Sequence, residues 1–318
     1  MGTLVQLEVE ASDRAKSLDQ EALIQEILRL KKERNAVILV HNYQRPEIFK
    51  IADFIGDSLG LSRQAATTPA DIIVFCGVEF MAETAKILSP EKMVLLPTFE
   101  AGCSLADMAT PEALLEVKKK HPHAAVVSYV NTTAAVKALS DACCTSMNAL
   151  KVIEALPQDE IIFLPDKNMA KYLLNGKTKK KIIAWDGYCF VHNDLKREMV
   201  EELQQQFPGS KVIAHPECPE EILDIADHIT GTGGMAKFAR EDQAKDFIIA
   251  TECGMTDLLR RDVPEKKFHA FCHVCPYMKA TTLPLVLECL RDHKNQIEVP
   301  EDIRVKAKRA IDKMMEFE

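Results

Sequence analysis

Apolar positions in this chain fall into short runs that end abruptly in polar residues, each followed by a longer stretch with helical spacing. Three of the runs have the same shape. Val37 to Val40 leads into His41-Asn42-Tyr43, Val126 to Val130 contains Tyr129 and ends at Asn131, and Val212 to Ala214 leads into His215-Pro216-Glu217. Aligned on His41, Tyr129 and His215, the runs lie 88 and 86 residues apart. The same offsets relate Asp53, Asp141 and Asp227, then Ser58, Ser146 and Thr232, then Met81, Met169 and Met255. Four positions in register mark an internal threefold repeat.

Two further apolar runs recur in each unit. The first is Asp71 to Phe75, Ile161 to Leu164 and Phe247 to Thr251; the second is Met93 to Leu96, Lys181 to Trp185 and Lys267 to Phe271. Between them lie amphipathic stretches such as Pro111 to Lys120 and Asn148 to Ala155. Short strands alternating with helices predict βαβ units and parallel sheets. The expected fold is α/β, with three homologous αβα domains carrying small parallel sheets around a pseudo-threefold axis. The expected boundaries are 20–107, 108–195 and 196–290, with a helical segment at 291–318. Within it, Glu301 to Phe317 carries Ile303, Ala307, Ala310 and Met314 on one face, as a packed helix requires.

Composition narrows the class. The 318 residues are 47% hydrophobic and 28% charged, with a net charge of -8, which excludes disorder and gives no basic face for nucleic acid. No apolar stretch approaches the ~18 residues of a membrane span. Met1 to Glu10 carries Glu8 and Glu10 and has neither a basic n-region nor an Arg-rich transit pattern, so a cytoplasmic location is expected. Ten cysteines in that compartment point to burial, redox chemistry or metal binding, not to structural disulfides.

One cysteine per repeat follows the last strand: Cys103, Cys189 and Cys275, spaced by 86 residues each. Ligands of parallel sheets gather beyond the carboxyl ends of the strands. Three such domains packed about one axis predict three thiolates at one point, a site for zinc or for an iron–sulfur cluster that lacks its fourth cysteine. An iron left open in this way can act as a Lewis acid, which suggests a lyase-type step more than electron transfer. Cysteines are also common buried small hydrophobes. That reading suits Cys76, Cys143, Cys144, Cys218, Cys253 and Cys289, whereas Cys272, in the C-x-x-C with Cys275, reads as a neighbouring thiol.

The strand-end residues His41, Tyr43, Tyr129, Asn131, His215 and Glu217 stand two apart within each repeat, and period-two spacing sends both members of a pair to one face. Glu217 and Tyr43 are the proton-transfer candidates. Ser58, Ser146 and Thr232 precede helical stretches, where N-capping is the ordinary role. Helix N-termini and the Gly231-Thr232-Gly233-Gly234 turn also suit a substrate with carboxylates and a phosphate. No Walker or dinucleotide fingerprint is present, which disfavours ATP and NAD as ligands.

These motifs resemble the quinolinate synthase family, the A protein of bacterial and archaeal NAD biosynthesis. The resemblance is carried by His41-Asn42-Tyr43-Gln44, Gly56-Asp57-Ser58-Leu59, Gly77 to Glu83, Tyr129-Val130-Asn131-Thr132, Cys144 to Ala149, His215 to Pro219 and Val274 to Lys279. It implies a 4Fe-4S cluster held by Cys103, Cys189 and Cys275. It also implies condensation of iminoaspartate with dihydroxyacetone phosphate, with loss of phosphate and two waters, the imine being supplied by an L-aspartate oxidase. Glu217 and Tyr43, with His215, would carry catalysis. His41, Ser58, Tyr129, Asn131, Ser146, His192, His215, Glu217 and Thr232 would hold substrate; only the resemblance recommends His192. At Gly231 the chain departs from the family pattern, which often carries a hydroxyl residue there, so that one anion contact falls to a backbone N–H. A zinc lyase using the same thiolates, and a non-enzymatic iron–sulfur sensor or scaffold, are the alternative readings.

Overall fold

A computed structural model describes residues 19–174, 176–271 and 273–317. The N-terminal stretch read for targeting signals and Cys272 lie outside the described residues. The strands, in chain order, are β1 (Ala36–His41), β2 (Phe54–Gly56), β3 (Ile72–Cys76), β4 (Met93–Leu95), β5 (Ala125–Tyr129), β6 (Ala142–Cys144), β7 (Glu160–Leu164), β8 (Lys181–Ala184), β9 (Lys211–Ala214), β10 (His228–Ile229), β11 (Asp246–Ala250) and β12 (Lys267–Ala270). They form three four-stranded sheets of orders β2-β1-β3-β4, β6-β5-β7-β8 and β10-β9-β11-β12. Every pairing within them is parallel, and helices flank each sheet, so the fold is α/β with three αβα units.

Each unit has four strands where the apolar pattern predicts three. The additional edge strands β2, β6 and β10 are only two or three residues long, too short to show a period. What holds them is the repeat aspartate. Asp53, Asp141 and Asp227 each accept the backbone N–H of the central strand, from Ile38, Val126 and Val212, at 2.7–2.8 Å. Their own N–H groups return to the carbonyls of the same three residues at 2.9–3.0 Å. A second trio works where helices give way to loops. Lys92, Lys180 and Lys266 reach the carbonyls of Ala70, Leu156 and Ala239, at or just past helix ends, where C=O groups need donors.

The middle of each central strand is apolar because both faces are covered, as parallel sheets require. Ile38, Leu39 and Val40, then Val126 and Val127, then Val212 and Ile213 are fully buried. The C-terminal helix spans Glu301–Met315 and buries Ala307, Ala310, Ile311 and Met314. It packs across the first two units, against β6 and the helices Glu79–Leu88 and Ala134–Lys137. Asn148 fixes its end by donating to the carbonyls of Met314 and Phe317. Among the described residues, no helix is long and apolar enough to cross a membrane.

Candidate functional site

The C-terminal strand ends of all three sheets open on one cavity. Its wall contains the three repeat cysteines, all six strand-end polar residues, and also Ser58, Ser146, Thr232 and His192. Every candidate site residue singled out in the sequence therefore meets the others at one place. For three of them the reason differs from the expected one. Tyr43 lies beyond the end of β1, in the turn that leads to the helix Pro46–Phe49, Asn131 lies beyond β5 and Glu217 beyond β9. Turn geometry, not strand alternation, brings each beside its partner two residues earlier.

The two strand-end histidines are held alike. His41 Nδ1 accepts the Tyr43 backbone N–H at 3.2 Å, and His215 Nδ1 accepts that of Glu217 at 3.3 Å. An imidazole accepting at Nδ1 carries its proton on Nε2 when neutral. Burial pushes both rings down to about 3, so each is a neutral N–H donor at physiological pH. The Lys279 ammonium adds to the effect at His41, and the Glu217 carboxylate opposes it at both rings.

Glu217 is the charged centre of this cluster. Burial alone would raise its carboxyl, but the imidazoles of His192 and His215 and the Tyr129 hydroxyl outweigh burial and hold it at about 2. Tyr129 donates to Oε1 at 2.6 Å, and His192 Nδ1 stands 3.0 Å from Oε2. That second approach is off the line of a hydrogen bond, and among the described residues Nδ1 has no other partner. Burial and the neighbouring Glu217 charge push Tyr43 well above the usual phenol range, so it enters chemistry as a protonated hydroxyl.

Each repeat cysteine directly precedes a four-residue helical turn: Ser104–Asp107, Phe190–Asn193 and Pro276–Lys279. The sulfurs accept backbone N–H bonds from those turns, at Ala106, His192 and Met278, three residues on in every case. Burial pushes all three thiols up, Cys103 to about 12, and none is in a disulfide. Their charges reinforce one another, since each of Cys103 and Cys189 is raised further by Cys275. Such a trio is disfavoured as thiolates on its own and suited to a group that carries positive charge. A tighter group, Cys189, His192 and Glu217, has its ligand atoms within 4.8 Å of one another and could hold a single ion.

The hydroxyl residues do not act as caps. Asp57 caps the helix Ser58–Thr67 through the Gly60 N–H, Asn148 precedes Ala149–Ala155, and Gly231 precedes Thr232–Glu241. Ser58 and Thr232 are the first residues inside their helices, so their hydroxyls are spared for other partners; Thr232 accepts from Asn42 Nδ2 at 3.0 Å. Gly231 and Gly233 let this third helix close on the other two units. A Cβ at 231 would run into Ser146 Oγ, and one at 233 into Asp57 Oδ2.

Three functional positions escape sequence reasoning. Asp166 and Glu252 accept the backbone N–H of Cys189 and Cys275, each at 3.2 Å, and so fix two of the cysteine loops. They are 86 residues apart, the offset that relates the cysteines, and that signal could have found them; the first unit has Val78 there. The third, Thr251, whose Oγ1 lies 2.6 Å from the Tyr43 hydroxyl and 2.8 Å from His192 Nε2, has Pro165 and Gly77 as its counterparts, and nothing in the sequence marks it.

The chain has relatives among known proteins. The family model described as quinolinate synthetase A protein matches residues 25–316. The chain is 50% identical over 294 residues to the quinolinate synthase of Thermodesulfovibrio yellowstonii, covering 92% of this chain and 97% of that protein. It is 51% identical over 300 residues to the quinolinate synthase of Geobacter metallireducens, covering 94% and 98%. To quinolinate synthase 1 of Methanosarcina acetivorans it is 49% identical over 300 residues, covering 94% and 98%. The chain belongs to the quinolinate synthetase A protein family.

Proposed function

We propose that this chain is a quinolinate synthase of NAD biosynthesis, condensing iminoaspartate with dihydroxyacetone phosphate and releasing phosphate and two waters. The observation that carries the reading is the convergence, in one buried cavity, of three thiols with neutral imidazole donors and an ionised carboxylate contributed by different repeats. Polar groups turned inward on all sides suit a small, highly functionalised molecule, not a partner protein, which speaks against a sensor or scaffold.

Cys103, Cys189 and Cys275 would hold a 4Fe-4S cluster. With three protein ligands, one iron stays open and supplies Lewis acidity to a bound oxygen.

The chain's own residues divide the remaining work. His41 and His215 offer Nε2–H donors to carboxylate or carbonyl oxygens. Ser58 and Thr232, at the first positions of their helices, and Ser146, in the turn before a third, suit the phosphate and a carboxylate. Glu217, ionised and fixed by Tyr129 and His192, is the base that removes a proton from the bound intermediate. Tyr43 holds an oxygen or nitrogen of that intermediate in line. The site would act in the cytoplasm, where thiols stay reduced and an L-aspartate oxidase supplies the imine.

Anaerobically prepared protein, given dihydroxyacetone phosphate and an L-aspartate oxidase with aspartate, should form quinolinate detectable by mass spectrometry. Formation of none, with iron and sulfide present, would refute the assignment.

A further inference from the structure

We propose that Met147 is the entry residue of the cavity: its side chain stands at a mouth between the second and third units and, by turning aside, sets the size of the molecules that reach the three thiols and Glu217. What passes there rests on the function proposed above; where it passes rests on the fold alone.

Of the residues in the cavity wall, Met147 alone is exposed, at 44%, and every other is buried or half-buried. The cavity therefore meets solvent at this side chain. A break in the repeat puts it there. In the first and third units the helix after the edge strand starts at the aligned hydroxyl residue itself, Ser58 or Thr232. In the second unit the helix starts three residues later, at Ala149, and residues 146–148 form a turn instead. The counterparts of Met147 are Leu59, which is buried in the core, and Gly233, which has no side chain. Only the second unit thus hangs a long side chain over the opening.

The backbone of this turn is fixed. The Thr145 N–H and hydroxyl donate to Asn148 Oδ1 at 2.8 and 3.2 Å, and the Met147 N–H donates to Thr145 Oγ1 at 3.3 Å. Asn148 Nδ2 in turn is tied to the carbonyls of Met314 and Phe317. The side chain is held far more loosely. Thr230 Oγ1 donates to Met147 Sδ at 3.4 Å across the seam between the units, and a thioether is a weak acceptor. The seat beneath it is Gly231, where a Cβ would stand 3.2 Å from the same sulfur. An unbranched thioether with three rotatable bonds changes rotamer far faster than an enzyme turns over. Residue 147 therefore governs the width of the mouth and not the rate of the chemistry behind it.

The cavity thiols report access without any turnover. In the full-length chain, freed of metal by a chelator and kept reduced, alkylation of Cys103, Cys189 and Cys275 is followed by peptide mass spectrometry with iodoacetamide and with a bulky maleimide. Cys289, buried outside the cavity wall, serves as the reference for general opening of the fold. Met147→Ala should speed the bulky reagent at the three cavity thiols by roughly tenfold, and Met147→Trp should slow both reagents by about as much, which is a change of about 1.4 kcal/mol in the barrier to entry. Met147→Leu, of similar volume, should stay within about threefold of wild type, and Cys289 should react alike in all four proteins. Equal rates at the cavity thiols whatever stands at 147 would overturn the proposal, and so would a rise at Cys289 in step with them. In turnover, Met147→Trp should raise KM with kcat within about threefold of wild type, and an unchanged KM would count against the mouth. If wild type makes no quinolinate, the functional reading falls on that result, and the labelling rates still decide the role of Met147.

Discussion

Replacing Glu217 by glutamine tests the electrostatic design of the site most sharply, because the change removes a charge and almost no volume. In the native arrangement the carboxylate accepts from Tyr129 at 2.6 Å and faces His192 Nδ1 at 3.0 Å. In Glu217→Gln the new amide oxygen can keep the Tyr129 bond, so the fold and the cysteine loops should stay in place. The amide nitrogen would then face His192, and an amide cannot take a proton from a substrate near neutral pH. Removal of a positioned general base costs about 10²- to 10⁴-fold in kcat. That is roughly 3–5.5 kcal/mol of lost transition-state stabilisation. Substrate affinity should change far less, because His41, His215 and the hydroxyl residues are untouched. The assay is quinolinate formation, with iron and sulfide measured on the same sample. Activity within about threefold of wild type would refute the base assignment. Loss of iron with loss of activity would show instead that Glu217 supports the metal site.

Further outcomes follow from the same geometry. Cys103→Ser, Cys189→Ser and Cys275→Ser should each strip iron, whereas Cys289→Ser, at a buried thiol bonded to the Lys294 carbonyl, should not; iron analysis of the four variants decides this. His41 is held near 3 when folded and returns to about 6.5 when unfolded, so the unfolded chain binds more protons between those values and stability is lost as pH falls through them. The stability advantage of wild type over His41→Gln should therefore shrink by about 1.4 kcal/mol per pH unit below 6.5, as read by denaturant titration. Gly233→Ala puts a methyl against the Asp57 carboxylate and should raise KM by holding two units apart, with little change in iron content. An unchanged KM would show that the glycine does not set closure. Asn148→Ala should release the end of the C-terminal helix, seen as faster amide exchange at Met314 and Phe317.

Much of this was legible in the chain because the repeat states it three times. The buried central strands stood out as apolar runs, and the cysteines, aspartates and strand-end polar residues kept register. The role of the aspartates was not readable, since an edge strand of two or three residues carries no pattern and its anchoring bond exists only once the sheet has formed. Ser58 and Thr232 looked like caps because the sequence cannot tell the residue before a helix from the first one inside it. Tyr43, Asn131 and Glu217 were expected on the cavity for a strand-period reason, and the turns after the strands put them there instead. Thr251 was invisible: a lone threonine after an apolar strand reads as packing, and its contacts with Tyr43 and His192 need side chains from two other units.

The measurement that bears most directly on the proposed chemistry is iron and acid-labile sulfide per chain in anaerobically purified protein, with zinc determined alongside. About four iron and four sulfide per chain are expected, lost on substitution of any one of the three repeat cysteines. About one zinc with no sulfide, persisting after attempted reconstitution, would contradict a three-cysteine iron–sulfur enzyme.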